Sequence, residues 1–177
     1  LFLDMLLIIR SITFFVLIKC AFAVQSPNLI LINIDDLGWK DLGCYGSDVY
    51  ETPNIDKLAR NGLKFTNAYS ACAVCSPTRA AIMTGRYPAR LGVTDWIRAR
   101  FQGGKIPKDK KNPGGWVGSK NKKVLCPQNA LWMELEEVTI AEKLKEDGYA
   151  TCHIGKWHLG ADDWYPEKQG FDCLLYT

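Results

Sequence analysis

The sequence predicts an α/β fold, a mostly parallel sheet flanked by helices. Two observations carry this. Short apolar runs rich in β-branched residues alternate with amphipathic segments, and the amphipathic segments end at glycine after starting at capping residues. No internal repeat competes with that reading.

The elements follow in order. Leu29 to Ile34 is a short apolar run with β-branched isoleucines and reads as a buried strand. Thr52-Pro53 opens a helix, with Thr as N-cap and Pro at the first position. Ile55, Leu58 and Ala59 share one face, and Gly62 stops it. Leu63 to Tyr69 reads as extended. Ser76 to Thr84 reads as a helix ended by Gly85. Thr139-x-x-Glu142 is a capping box that starts a helix, with Ile140, Ala141 and Leu144 facing the core and Gly148 at its end. Tyr149 to Ile154 is the next strand. In such sheets, ligands bind beyond the carboxyl ends of the strands.

The chain has 177 residues, enough for one domain with a core. Its residues are 47% hydrophobic and 23% charged, an ordinary globular balance that argues against disorder. The formal net charge of +3 is too small to suggest a nucleic-acid partner. Leu6 to Ile18 is almost wholly apolar and leads to Ala21-Phe22-Ala23, an A-x-A cleavage pattern. Residues 1–23 are therefore expected to be a signal peptide. The apolar run is short for a spanning helix, so no stable membrane insertion is expected. Six cysteines follow this segment: Cys44, Cys72, Cys75, Cys126, Cys152 and Cys173. Export permits disulfides, but the spacing matches neither a small disulfide scaffold nor a zinc site. Arg98 to Lys123 holds nine Lys or Arg, one Asp, five Gly and two Pro. It reads as a surface loop, either a solvated insertion or a basic wall beside a site for anionic polymers.

Three strings carry chemistry. Asp35-Asp36 at the end of the first predicted strand offers two hard oxygen donors suited to Ca²⁺ or Mg²⁺. Cys75 falls just before a predicted helix, where free backbone N–H groups and the helix dipole favour an anion. Arg79 is one turn further on the same face. In an extended Lys156-Trp157-His158, Lys156 and His158 would point to one face and could grip an anionic oxygen and assist a leaving group. His153 reads as a core histidine or one that supports the site from behind.

Cys75-Ser76-Pro77-Thr78-Arg79-Ala80-Ala81-Ile82-Met83-Thr84-Gly85 matches the sulfatase family signature residue for residue. Gly148 to His158 resembles the family's second signature, and Asn33-Ile34-Asp35-Asp36-Leu37-Gly38-Trp39 resembles the start of sulfatases. The resemblance is to secreted, arylsulfatase-like enzymes, and it implies an alkaline-phosphatase-like fold, incomplete here. Residues 24–177 would be the N-terminal part of the catalytic domain.

The resemblance also implies a mechanism. A formylglycine-generating enzyme converts Cys75 to formylglycine, whose hydrated aldehyde carries two hydroxyls. One attacks the sulfur of a sulfate ester and the alcohol leaves; the other loses its proton as sulfate is expelled. Arg79 would stabilise the nucleophile. Lys156 and His158 would bind sulfate and the leaving-group side. One Ca²⁺ would be held by Asp35, Asp36 and the modified Cys75, with an Asp-Asn pair, a His and a Lys supplied later in the family. The expected substrate is an aryl sulfate or a sulfated carbohydrate, and the expected location is secreted, periplasmic or lysosomal. Two alternatives are a phosphoester or phosphonate hydrolase of the same superfamily and a catalytically dead glycan-binding protein. Such a piece alone is expected to be inactive.

Overall fold

The computed structural model of the chain describes residues 26–97, 108–118, 121 and 123–175. The expected leader and much of the basic stretch lie outside the described residues. Residues up to Ile34 form one compact unit and Asp35 onward a second.

In the first unit, Leu29 to Ile34 carries no strand. Its side chains are exposed, Ile30 at 85% and Ile32 at 74%. The reason is physical: a β-strand is stable only within a ladder, and an apolar run supplies side chains for burial without supplying a partner.

The second unit opens on a 3₁₀ turn, Gly43–Tyr45, followed by α1, Pro53–Asn61. Pro53 takes the first helical position, as expected. Thr52, however, does not cap the helix with its hydroxyl. The hydroxyl donates to Asp56 Oδ1 at 3.0 Å and accepts from the Gly43 N–H at 2.8 Å. Asp56 Oδ1 also accepts from the Cys44 N–H at 2.7 Å, so helix and turn are stitched together. Ile55 and Ala59 are half-buried, while Leu58 is exposed. Leu63 to Tyr69 again lacks a strand for want of a ladder.

Helix α2 spans Cys75–Thr84 and ends at Gly85, whose φ of 67° is the left-handed conformation a helix C-terminus favours in glycine. A short helix α3, Pro88–Leu91, turns the chain back. Strands β1, Trp116–Val117, and β2, Cys126–Pro127, pair antiparallel. Helix α4, Ile140–Glu146, carries the capping box read from the sequence: the Glu142 N–H donates to Thr139 Oγ1 at 3.2 Å, and the Thr139 N–H donates to Glu142 Oε2 at 2.7 Å. Ala141 faces the core; Ile140 is exposed. Strands β3, Cys152–Ile154, and β4, Cys173–Leu175, pair in parallel, joined by 3₁₀ turns at Asp162–Trp164 and Pro166–Lys168. The architecture is thus a partial α/β fold with sheets of few strands.

The core gathers Ala80 from α2, Leu91, Val93, Ile97, Ala130, Met133, Trp157 and Leu159. A second cluster joins Leu131 to Trp132 and Trp164, whose rings stack with centroids 4.0 Å apart. Trp157 is 2% exposed. Burying it fixes the backbone between Lys156 and His158, which carries the core's rigidity into the motif. Among the described residues, no helix is long and apolar enough to cross a membrane.

Candidate active site

Cys75 is the first residue of α2, one position earlier than the sequence reading began the helix, and Val74 is the N-cap. Its backbone sits at the positive end of the helix dipole. Pro77 has no N–H, and the Thr78 N–H closes the first turn on Val74 O at 3.3 Å. The Thr78 hydroxyl donates to Cys72 O at 2.7 Å, which fixes how the chain enters the helix.

Arg79 is 9% exposed and binds two other motifs. Its NH2 donates to Asp35 Oδ1 at 3.0 Å, and its NH1 donates to the backbone carbonyl of Lys156. Lys156 Nζ donates to the other oxygen, Asp35 Oδ2, at 2.5 Å. Asp35 therefore bridges two cations. Its carboxyl is held below the usual carboxylate range, chiefly by the Lys156 hydrogen bond and further by Arg79, against a smaller opposing effect of burial. Arg79 and Lys156 thus share one ionised carboxylate.

The motif Lys156-Trp157-His158 is not extended throughout. His158 takes a φ of 61°, as does Asp36 at 57°. Asp tolerates this conformation; a histidine held there costs roughly 1–2 kcal/mol, which the surrounding contacts must offset. The His158 ring is half-buried, with Nε2 donating to Ile97 O at 3.0 Å. Burial pushes its pKa below the ordinary imidazole value; the Ile97 bond opposes this, while the charges of Lys156 and Arg79 add to it. Two buried side-chain atoms, Arg79 Nε and His158 Nδ1, have no hydrogen-bond partner among the described residues. Unsatisfied buried polar atoms are costly, and His153 Nε2 and Gln169 Oε1 are two more of them among the described residues. His153 lies in the core beside Trp157 and Phe171, with ring centroids 5.2 and 5.3 Å away.

The fold brings Asp35, Arg79, Lys156 and His158 together. Asp36 is exposed beside Asp35. As metal ligands, Asp35 and Asp36 fit in type: hard, acidic oxygens, one of them held ionised. Ca²⁺ needs six to eight oxygens. Among the described residues no group of three or more His, Cys, Asp or Glu could complete the set.

Sequence reasoning missed the residues that hold the site in place. Ser76, fully buried, accepts the Ile97 N–H at 3.0 Å. Asn129 accepts the Thr94 and Asp95 N–H groups at 3.1 and 3.0 Å and donates to the Asp95 and Trp96 carbonyls at 2.9 and 3.0 Å. Together they fix the loop that presents Ile97 to His158. Neither residue has a local pattern that announces this role.

A guanidinium and a lysine share one carboxylate, a partly desolvated imidazole follows the lysine by two residues, and a cysteine begins the helix that carries the guanidinium. The Sulfatase family model matches residues 27–176, and the chain belongs to the sulfatase family. It is 42% identical to human arylsulfatase A over 154 residues, covering 85% of this chain and 25% of that protein. It is 41% identical to human N-acetylgalactosamine-6-sulfatase over 152 residues, covering 85% of this chain and 25% of that protein. The crystal structure of Ps i-CgsB in complex with k-i-k-neocarrahexaose superposes with a TM-score of 0.64 at 36% identity, covering 86% of this chain and 29% of that one. The chain thus spans about a quarter of the length of the relatives it matches.

Proposed function

We propose that the whole protein is an exported sulfuric ester hydrolase acting on a sulfated carbohydrate, with formylglycine made from Cys75 as its nucleophile. The observation that carries this reading is Arg79: one guanidinium ties the helix that begins at Cys75 to Asp35 and to Lys156. The arrangement suits an anionic, tetrahedral group set between a helix N-terminus and two cations. Carbohydrate as substrate is supported by N-acetylgalactosamine-6-sulfatase and by the neocarrahexaose complex.

In this reading the hydrated formylglycine supplies the oxygen that attacks sulfur. Arg79 holds the start of α2 in register with Asp35 and Lys156. Lys156 Nζ exchanges its Asp35 partner for a sulfate oxygen. His158 is fixed by Ile97 in the tautomer with the proton on Nε2, which leaves Nδ1 to receive a proton. Asp35, Asp36 and residue 75 would hold one Ca²⁺, which would offset the negative charge of the approaching ester.

The test is made on the full-length protein coexpressed with a formylglycine-generating enzyme. Mass spectrometry of the Cys75 peptide should show the aldehyde, and an aryl sulfate should be cleaved in preference to the matching aryl phosphate. Unmodified cysteine, with a known sulfatase modified in parallel, would overturn the nucleophile assignment. Preference for phosphate would overturn the reaction class.

A further inference from the structure

Cys152 and Cys173 lie outside the site just described, and the ladder sets them side by side. They are register partners in the parallel β3–β4 pair, and both are exposed. Neighbouring strands run about 4.8 Å apart. That spacing falls within the roughly 4.4–6.8 Å Cα separation of disulfides. Side chains of register partners leave the same face of a sheet. On both strands the middle residue, His153 or Leu174, is the more buried, and the cysteines share the outer face with Ile154 and Leu175. The neighbouring Cys173 raises the Cys152 pKa.

We propose that Cys152 and Cys173 form a disulfide that staples β3 to β4, with a low-molecular-weight disulfide or an oxidoreductase disulfide as the oxidant. One cysteine thiolate attacks the oxidant's S–S bond and releases the first thiol. The second cysteine attacks the resulting mixed disulfide at the protein sulfur and releases the other. Two protein thiols thus give up two electrons and two protons, and the oxidant is reduced to two thiols. The loop so closed contains Lys156 and His158, so the bridge fixes the segment that carries both. Export would supply the oxidant in the cell, but the pairing itself is testable without that reading.

The experiment uses folded, full-length protein equilibrated with oxidised glutathione. Free thiols are blocked with N-ethylmaleimide, and the protein is digested with trypsin without reductant. The expected product is the peptide Glu146 to Lys156 joined to the peptide beginning at Gln169, two hydrogens lighter than their sum. Cys152→Ser should remove it and return Cys173 as the maleimide adduct; Cys173→Ser should do the converse. Reduction should lower the thermal midpoint of the parent protein and leave that of the double variant unchanged. Recovery of both cysteines as maleimide or glutathione adducts, or of Cys152 joined to a different cysteine, overturns the proposal.

Discussion

Ser76 Oγ accepts the Ile97 N–H at 3.0 Å, and the same residue's carbonyl accepts the His158 ring at 3.0 Å. One peptide segment therefore links the residue after Cys75 to the site's imidazole. Ser76→Ala leaves the Ile97 N–H buried without a partner, at a cost of about 1–3 kcal/mol. Urea denaturation should show that loss as a lower midpoint with an unchanged slope. The pH profile of turnover should shift as well, because His158 loses its fixed partner. An unaltered profile would reduce Ser76 to a packing residue.

Asp35→Asn keeps the shape and removes the charge that Arg79 and Lys156 share. The folded-state pKa of Asp35 lies below its ordinary value. Its contribution is therefore present above about pH 3.8 and is lost as pH falls through the lower folded value. The stability gap between parent and variant should be widest near neutrality and close in acid. In the full-length enzyme the same variant should weaken Ca²⁺ binding and turnover by at least about tenfold. Full activity after verified removal of metal would refute the Ca²⁺ assignment.

His158 and His153 both have lowered pKa values through burial. Below about pH 6.5 the unfolded chain takes up protons that the folded chain resists. Stability should fall as pH drops from about 6.5 toward the folded-state values, then level off. Imidazole NMR should place both midpoints below that of a free histidine. His158→Gln should remove part of the slope and His153→Gln the remainder. A His158 midpoint at or above 6.5 would show the ring to be solvated.

Gly170 has a φ of 90°, and a Cβ there would meet the Glu142 backbone N at 2.5 Å. Gly170→Ala therefore strains the backbone and drives a methyl into the capping box of α4. Loss of that box alone costs about 1 kcal/mol. The substitution should exceed this, read as a lower thermal midpoint. Thr139→Ala removes the cap and also the donation to Gln169 O, so it provides an independent measure of the box.

The parts of the fold visible in the sequence were those whose signals are local. The capping box at Thr139 and Glu142 is a contact between residues three apart, and Gly85 ends α2 by its own backbone. Leu29 to Ile34 reads as a strand and Leu63 to Tyr69 as extended on composition, but both lack ladders, which composition cannot provide. Leu58 and Ile140 fit the helical period of a buried face and lie exposed, because periodicity gives a direction and not what covers it. Of the residues in the motif strings, Arg79 and Lys156 meet at Asp35, a contact that spans three separate strings. The left-handed turn at His158 and the bridge through Ile97 arise from contacts across long sequence separations.

Asn129 uses both lone-pair directions of its oxygen and both hydrogens of its amide on the Thr94–Trp96 backbone. Of the twenty side chains, none other has that length and that pairing of polarity. Aspartate would turn two attractions into repulsions against carbonyl oxygens, leucine would strand four backbone groups, and glutamine is one methylene too long. The backbone of the loop beside the imidazole is therefore set from beneath by an amide that has no chemical synonym.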